Sequence, residues 1–334
     1  MLSANPYLFG RFKRGFDVAE VERTDATTLT DRARTFLDTV EGEPFFLYIQ
    51  YMDLHQPLWP PEPYFSMFGK EIPGPRGKKH TDWRFGSHED FEGPNFKSFR
   101  SHKLALYDGA LSYVDSEIGR LLDSLQQSGD LDETLIVVTS DHGEEFWDHA
   151  EQQRALAQDP RGLWGIGHGH SMYQELLRVP LVFRGPGILG GRRVECPSRL
   201  VDIVPTSLEA LNLPIPEGLR GTSLSPFLSP SQGAPDCQPQ PVLAESPAYG
   251  PDSRAITFGR FKLIRQNDGF VQLFDLHADP EEMLDLSAER PDLVAELTDM
   301  MERELAGIDT TASDETMEFD EDTLEQLRSL GYID

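Results

Sequence analysis

The chain has 334 residues, 38% of them hydrophobic and 10% aromatic, enough apolar material for a large globular core. Fifty-seven acidic against thirty basic residues leave a formal charge of −27, which argues against a nucleic-acid backbone or an anionic membrane surface as the main partner. Two cysteines, Cys196 and Cys237, make no disulfide framework; a single bridge between them is open to the chain, but the expectation is that it stays open.

The opening stretch, MLSANPYLFGRFKRGFD, has no sustained apolar run, so it reads neither as a signal peptide nor as a membrane anchor, and nothing in it resembles a strand. Thr24 to Val40 follows as an amphipathic helix, with Leu29, Ala33, Phe36, Leu37 and Val40 at helical spacing, Thr24 or Asp25 as cap and Gly42 as stop. Phe45 to Met52 (FFLYIQYM) is a nearly continuous apolar strand that runs into Asp53-Leu54-His55-Gln56-Pro57. The aromatic, Pro- and Gly-rich stretch from Leu58 to Asn95 is too long for a plain connector and reads as a large loop beside a site. Its basic cluster, Lys78, Lys79 and His80, reads as a solvated tip.

Ser101 to Ser128 carries an apolar stripe at three-four spacing, from Leu104 through Tyr107, Leu111, Val114 and Ile118 to Leu125, and ends at Gly129. Thr134 to Glu145 (TLIVVTSDHGEE) is the stretch on which the chain turns. Its Leu135-Ile136-Val137-Val138 run predicts a strand buried on both faces, delivering Asp141, His142 and Gly143 at its carboxyl end. A carboxylate, an imidazole and a glycine together there point to a metal or anion site. His168-Gly169-His170-Ser171 leads through a short helical turn into a third strand, Val179 to Phe183. Asp202 to Leu211 reads as a helix with Pro205 in its first turn, followed by a Pro-rich linker through Pro241 and a short strand, Val242 to Glu245. Ala255 to Arg265, a turn at Gln266 to Gly269, and Phe270 to Leu276 make a hairpin. Acidic helices over Pro291 to Leu305 and Asp320 to Leu330 close the chain. The alternation of helices and strands predicts an α/β fold, a large mostly parallel or mixed sheet flanked by helices over residues 1–240, with a small C-terminal α+β subdomain containing the antiparallel hairpin over 241–334.

The blocks SANPYL, RGFD, PFFLYIQYMDLHQPLWPP, YDGALSYVDSEIGRLLDSL, TLIVVTSDHGEEF, GHGHSMYQELLRVPLVFRGPG, LVDIVPTSLEAL, LFDLHADPEEMLDL and LEQLRSLGYI resemble, in order and interval, the sulfatase family of the alkaline phosphatase superfamily. The resemblance implies an alkaline phosphatase-like fold and metal-assisted hydrolysis of a small sulfated aryl or sugar ester. It implies one divalent metal ion, held in part by Asp141 and His142. Ca²⁺ is the family's usual ion, while an imidazole ligand suits Mn²⁺, Fe²⁺ or Zn²⁺ better. His55 matches the histidine that contacts the sulfate or protonates the leaving oxygen, and His168 a residue that stabilises charge on the transferred group, with His170 the alternative. His149 reads as surface, and Glu144, Glu145 and Asp148 as helix-start or supporting residues.

The family's nucleophile is a formylglycine made within a Cys/Ser-x-Pro/Ala-x-Arg motif ahead of the strand that carries the first histidine. No such motif stands ahead of Phe45 here, nor does the family's early Asp-Asp ligand pair. Cys196-Pro197-Ser198-Arg199 is one residue short and reads as coincidence. The expectation is therefore a family member lacking its first segment, prone to self-association through an unpaired sheet edge, with localisation left open. Two alternatives stand beside the sulfate-ester hydrolase: a non-catalytic remnant that binds metal or anions, and a phosphodiester or phosphonate monoester hydrolase of the same superfamily.

Overall fold

In the computed structural model of the chain, the residues described are 1–5, 13–40, 42–69, 94–156, 164–229, 236–245 and 247–307. The basic cluster at Lys78 to His80, the aromatic residues Trp83 and Phe85 and the helix expected over Asp320 to Leu330 lie outside them. Two compact units divide at Leu131/Asp132.

The first unit, from Met1 to Leu131 among the described residues, is built on a three-stranded parallel sheet. Its central strand is β1 (Leu2–Ser3), flanked by β2 (Glu20–Val21) and β3 (Ile49–Gln50). The expectation of no opening strand is thus overturned. Two residues are too few to show a period, and they hold their place because Leu2 and Ala4 are buried against Leu29 and Ala33 of α1 (Ala26–Thr39). Asp25 caps that helix by accepting from the Thr28 amide at 2.8 Å, and Gly42 takes φ +78° just after its end. FFLYIQYM contributes only Ile49 and Gln50 to a ladder, and Phe46 remains 74% exposed. A short helix α2 (Tyr64–Met67) and the long α3 (Pro94–Ser128) complete the described part. Of the predicted stripe of α3, Val114 and Leu125 are buried, Leu104, Tyr107, Ile118, Leu121 and Leu122 half-buried and Leu111 exposed, while Leu106, Ala110 and Tyr113, outside that stripe, are buried.

The second unit runs from Asp132 to Thr310, described through residue 307. Strand β4 (Ile136–Thr139) pairs antiparallel with β7 (Leu181–Arg184), and β5 (Glu145–Phe146) with β6 (Ile166–Gly167). Burial of β4 on both faces is not observed. Ile136, Val137 and Val138 are half-buried and Thr139 exposed, and among the described residues β4 pairs with β7 alone. Short helices follow at α4 (Ala150–Leu156), α5 (Gln174–Leu177), α6 (Ile203–Ala210) and α7 (Ser225–Leu228).

The C-terminal part is a four-stranded antiparallel meander, β8 (Val242–Glu245), β9 (Ser253–Phe258), β10 (Phe261–Gln266) and β11 (Val271–Asp275), in that order across the sheet. The single strand expected from Ala255 to Arg265 is two strands, because Gly259 at φ +60° allows a two-residue turn inside the apolar run. Helix α8 (Pro291–Ala306) lays Leu297 and Met301 over Ile256, Leu263 and Leu273.

Cys196 and Cys237 are joined, contrary to expectation, by a disulfide between Cα atoms 5.5 Å apart. The loop before Leu200 and the stretch leading into β8 bring the two within bridging distance. Cys196 is therefore no free thiol, and the Arg199 side chain is committed to Asp202 at 2.8 Å, so the resemblance of this tetrapeptide to a nucleophile motif has no counterpart in its chemistry.

Candidate active site

β4 ends at Thr139, and the chain then turns sharply enough to present two consecutive side chains to one side. The Ser140 hydroxyl donates to the His142 carbonyl at 2.6 Å, and the His142 amide to the Asp141 carboxylate at 3.1 Å. Gly143 is required here: a Cβ on it would stand 1.9 Å from the Glu175 carbonyl oxygen, and its amide donates to the Leu176 carbonyl at 2.8 Å. The backbone of α5 is therefore pressed directly against the residue that follows His142.

The Asp141 carboxylate lies 3.8 Å from His142 Nε2, and both side chains are exposed. His142 Nδ1 donates to the Gly143 carbonyl at 2.8 Å, which fixes the tautomer and leaves Nε2 as a lone-pair donor. A carboxylate oxygen and an imidazole lone pair 3.8 Å apart are donors that would suit a divalent cation.

His168 is brought to the same place by the β5–β6 register. Glu145 pairs with Gly167, so the next step outward sets Glu144 opposite His168. His168 Nδ1 lies 3.3 Å from the Glu144 carboxylate, and its ring stacks on His142 with centroids 3.9 Å apart and planes at 28°. The other Glu144 oxygen, Oε1, is buried without a hydrogen-bond partner. Asp141, His142 and His168 thus lie side by side, with Glu144 against His168.

His170 parts company with His168. It is buried, with Nε2 2.8 Å from the Glu145 carboxylate. Burial alone would raise the Glu145 pKa, but the hydrogen bond and charge of His170, with Gln153 and the His149 amide, outweigh it and hold the group below the ordinary glutamate range. His149, expected at the surface, is 2% exposed. Its Nδ1 faces Glu175 at 2.7 Å, its Nε2 the Glu282 carbonyl at 3.3 Å, and its ring stacks on Tyr173 at 3.7 Å.

His55 belongs to the first unit, at the end of the segment that follows β3. Its Nδ1 donates to the Gln56 carbonyl at 2.7 Å. Asp53, two residues earlier, accepts from the Ala26 amide at 3.2 Å, while its Oδ2 is buried without a partner. Burial pushes its pKa up to about 6, against the pull of the Ala26 hydrogen bond.

The sulfatase family profile matches residues 3–213, and that of the C-terminal region of N-sulphoglucosamine sulphohydrolase matches residues 162–310. The chain belongs to the sulfatase family. This sulfatase-family chain is 32% identical to arylsulfatase K of Xenopus laevis over 203 residues, 58% of its own length and 35% of the frog protein's. Among solved structures it resembles the phosphonate monoester hydrolase SpPMH of Silicibacter pomeroyi, with TM-score 0.65 and 27% identity, over 87% of this chain and 62% of that one. It also shares the fold of BT4656, solved in complex with its substrate D-glucosamine-2-N,6-O-disulfate, with TM-score 0.69 and 24% identity over 89% and 73% of the two chains. The chain spans about a third to a half of the length of curated relatives it matches. Its α/β class is that of the family.

Sequence reasoning read Glu144 as a helix-start or supporting residue, and it stands against His168; Glu175 and Glu282 were missed as partners of His149. Glu144 had a signal, standing between His142 and the strand β5. The other two lie far from His149 in sequence and gave none.

Proposed function

We propose that this chain carries the metal- and oxyanion-handling side of a sulfate-ester hydrolase acting on small aryl or sugar sulfates. One observation carries the reading: Asp141 and His142 share the end of β4, with the His168 ring stacked on His142 and oriented by Glu144. Membership of the sulfatase family supports the reaction class, and the names of the relatives support the substrate class.

Asp141 and His142 Nε2 would hold a divalent cation, which when bound supplies positive charge to a sulfate oxygen and to the nucleophile. His168, its Nδ1 turned to Glu144, would in its doubly protonated form donate from Nε2 to a second sulfate oxygen. By the family resemblance alone, His55, whose Nδ1 donates to the Gln56 carbonyl, is the group that would give a proton to a departing alkoxide or phenoxide. His170 is occupied by Glu145 and supports the segment from within.

A second reading, hydrolysis of a phosphonate monoester or phosphodiester, is favoured by the likeness to SpPMH at 27% identity. Tetrahedral anionic esters of sulfur and phosphorus make the same demands on this donor set. The product of the complete reading frame, assayed with 4-nitrophenyl sulfate and 4-nitrophenyl phenylphosphonate in Ca²⁺ or Mn²⁺, separates the two. Sulfate release abolished by Asp141→Ala is expected. Preference for the phosphonate establishes the second reading, and turnover of neither ester leaves only a metal- and anion-binding remnant.

A further inference from the structure

Behind the site lies a buried charge cluster that the proposed reaction does not use. Glu145, His149 and Glu175 offer three ligand atoms within 4.8 Å of one another, which invites a second metal. The geometry argues for protons. The His149 nitrogen that would ligate sits 2.7 Å from the Glu175 carboxylate, a hydrogen-bond distance, and the other ring nitrogen faces the Glu282 carbonyl at 3.3 Å. A ring whose two nitrogens both face oxygens donates from both when Glu175 is ionised, which is the imidazolium form.

Charge balance agrees. Lys262 and Glu282, both fully buried, pair at 2.7 Å and cancel wherever their shared proton sits. Glu145 faces His170, and Glu175 then has His149 as its counter-ion. Burial pulls the His149 pKa down, but the hydrogen bond and charge of Glu175, with Glu145 and the Glu282 carbonyl, outweigh it and hold it above the ordinary histidine value.

The cluster also connects two parts of the second unit. Glu282 accepts from the Gln174 amide at 2.6 Å and pairs with Lys262 of β10, and its backbone is held at φ +54°, a conformation a glutamate keeps only when its surroundings enforce it. Glu175 belongs to α5, and its carbonyl is the atom against which Gly143 packs.

We propose that His149 is a positioning residue: as an imidazolium held between Glu175 and Glu282, it clamps the C-terminal sheet to α5 and so fixes the segment bearing Asp141 and His142. This rests on the proposed role of those two residues only for its consequence; the charge and the clamp stand without it.

The test is NMR on the full chain with ¹⁵N-labelled histidines. His149, recognised by its contact with the Tyr173 ring, is expected to keep both ring nitrogens protonated at pH 7.5, where an ordinary histidine of pKa about 6.5 is mostly neutral. The His149→Gln variant is expected to shift the His142 ring resonances with no metal present. It should also lose a pH dependence that the wild type shows. A raised pKa gives stability that is complete below the unfolded value and is lost as pH rises through the folded one; wild-type Tm should fall across that window and the variant's should not. Should His149→Gln fail to fold, Glu175→Gln serves in its place. A neutral His149 at pH 7.5, or unchanged His142 resonances in a folded variant, overturns the proposal. Failure of the wild type to bind metal would count against the proposed function and leave these readouts intact.

Discussion

Asp53 is the most exposed to test of the single residues. Its carboxylate is pushed up to about 6 by burial, and the sign of the consequence is the reverse of the usual acidic case. A carboxyl whose pKa rises on folding stabilises the fold below its unfolded value near 4, and that contribution is lost as pH rises through 6. Two units correspond to about 3 kcal/mol in full, which partial solvent access brings to roughly 2 kcal/mol. Asp53→Asn is therefore expected to be more stable than the wild type at pH 8 and to lose the decline in urea-melt stability between pH 4 and 7; parallel profiles for the two proteins would count against it. The candidate residues were legible from local strings. SDHG after an apolar strand, D-x-H-x-P after another and GHGHS ahead of a third each carry their meaning within a few positions. His149 was not legible, because its partners stand 26 and 133 residues away and its neighbours, Asp148, Glu151 and Gln152, are those of a surface helix.

Among the elements, the C-terminal meander and α8 form the best-defined core, with Ile256, Leu263 and Leu273 wholly buried beneath Leu297 and Met301. Leu263→Ala should cost about 2–5 kcal/mol of unfolding free energy, measured by urea denaturation. A cost below about 1 kcal/mol would mean that the sheet and helix do not pack as described. The sequence foretold β8 and α8 nearly to the residue, since alternation and a Pro-led amphipathic run are local signals. It joined β9 and β10 into one strand because a turn of Gly259 and Arg260 between phenylalanines does not interrupt the apolar pattern. It passed over β1 for the opposite reason: a two-residue strand has no pattern, and its burial comes from α1 and β3. The apolar run Leu135 to Val138 correctly marked β4, yet composition reports what a strand can bury and not how many neighbours it has.

At the scale of the whole molecule, the second unit leaves apolar side chains open to solvent, with Val182 of β7 at 55%, Val201 at 53% and Val204 of α6 at 52%. Exposed apolar surface next to a short strand pair favours association. Sedimentation velocity of the isolated 334-residue chain at micromolar concentration is expected to show species larger than a monomer, and a single monomeric boundary over the whole range would refute this. The sulfatase-family assignment came from the order of short blocks along the chain, a signal that survives even where strand lengths and turns were misjudged.

The central claim, that Asp141 and His142 form one side of a metal site, meets its most direct test in calorimetric titration of the chain with Mn²⁺ and Ca²⁺. The proposed arrangement predicts one ion bound per chain and binding lost in both Asp141→Ala and His142→Ala, with His170→Ala, whose ring faces Glu145, retaining it. Equal binding by the wild type and the first two variants, or none by the wild type, would contradict it.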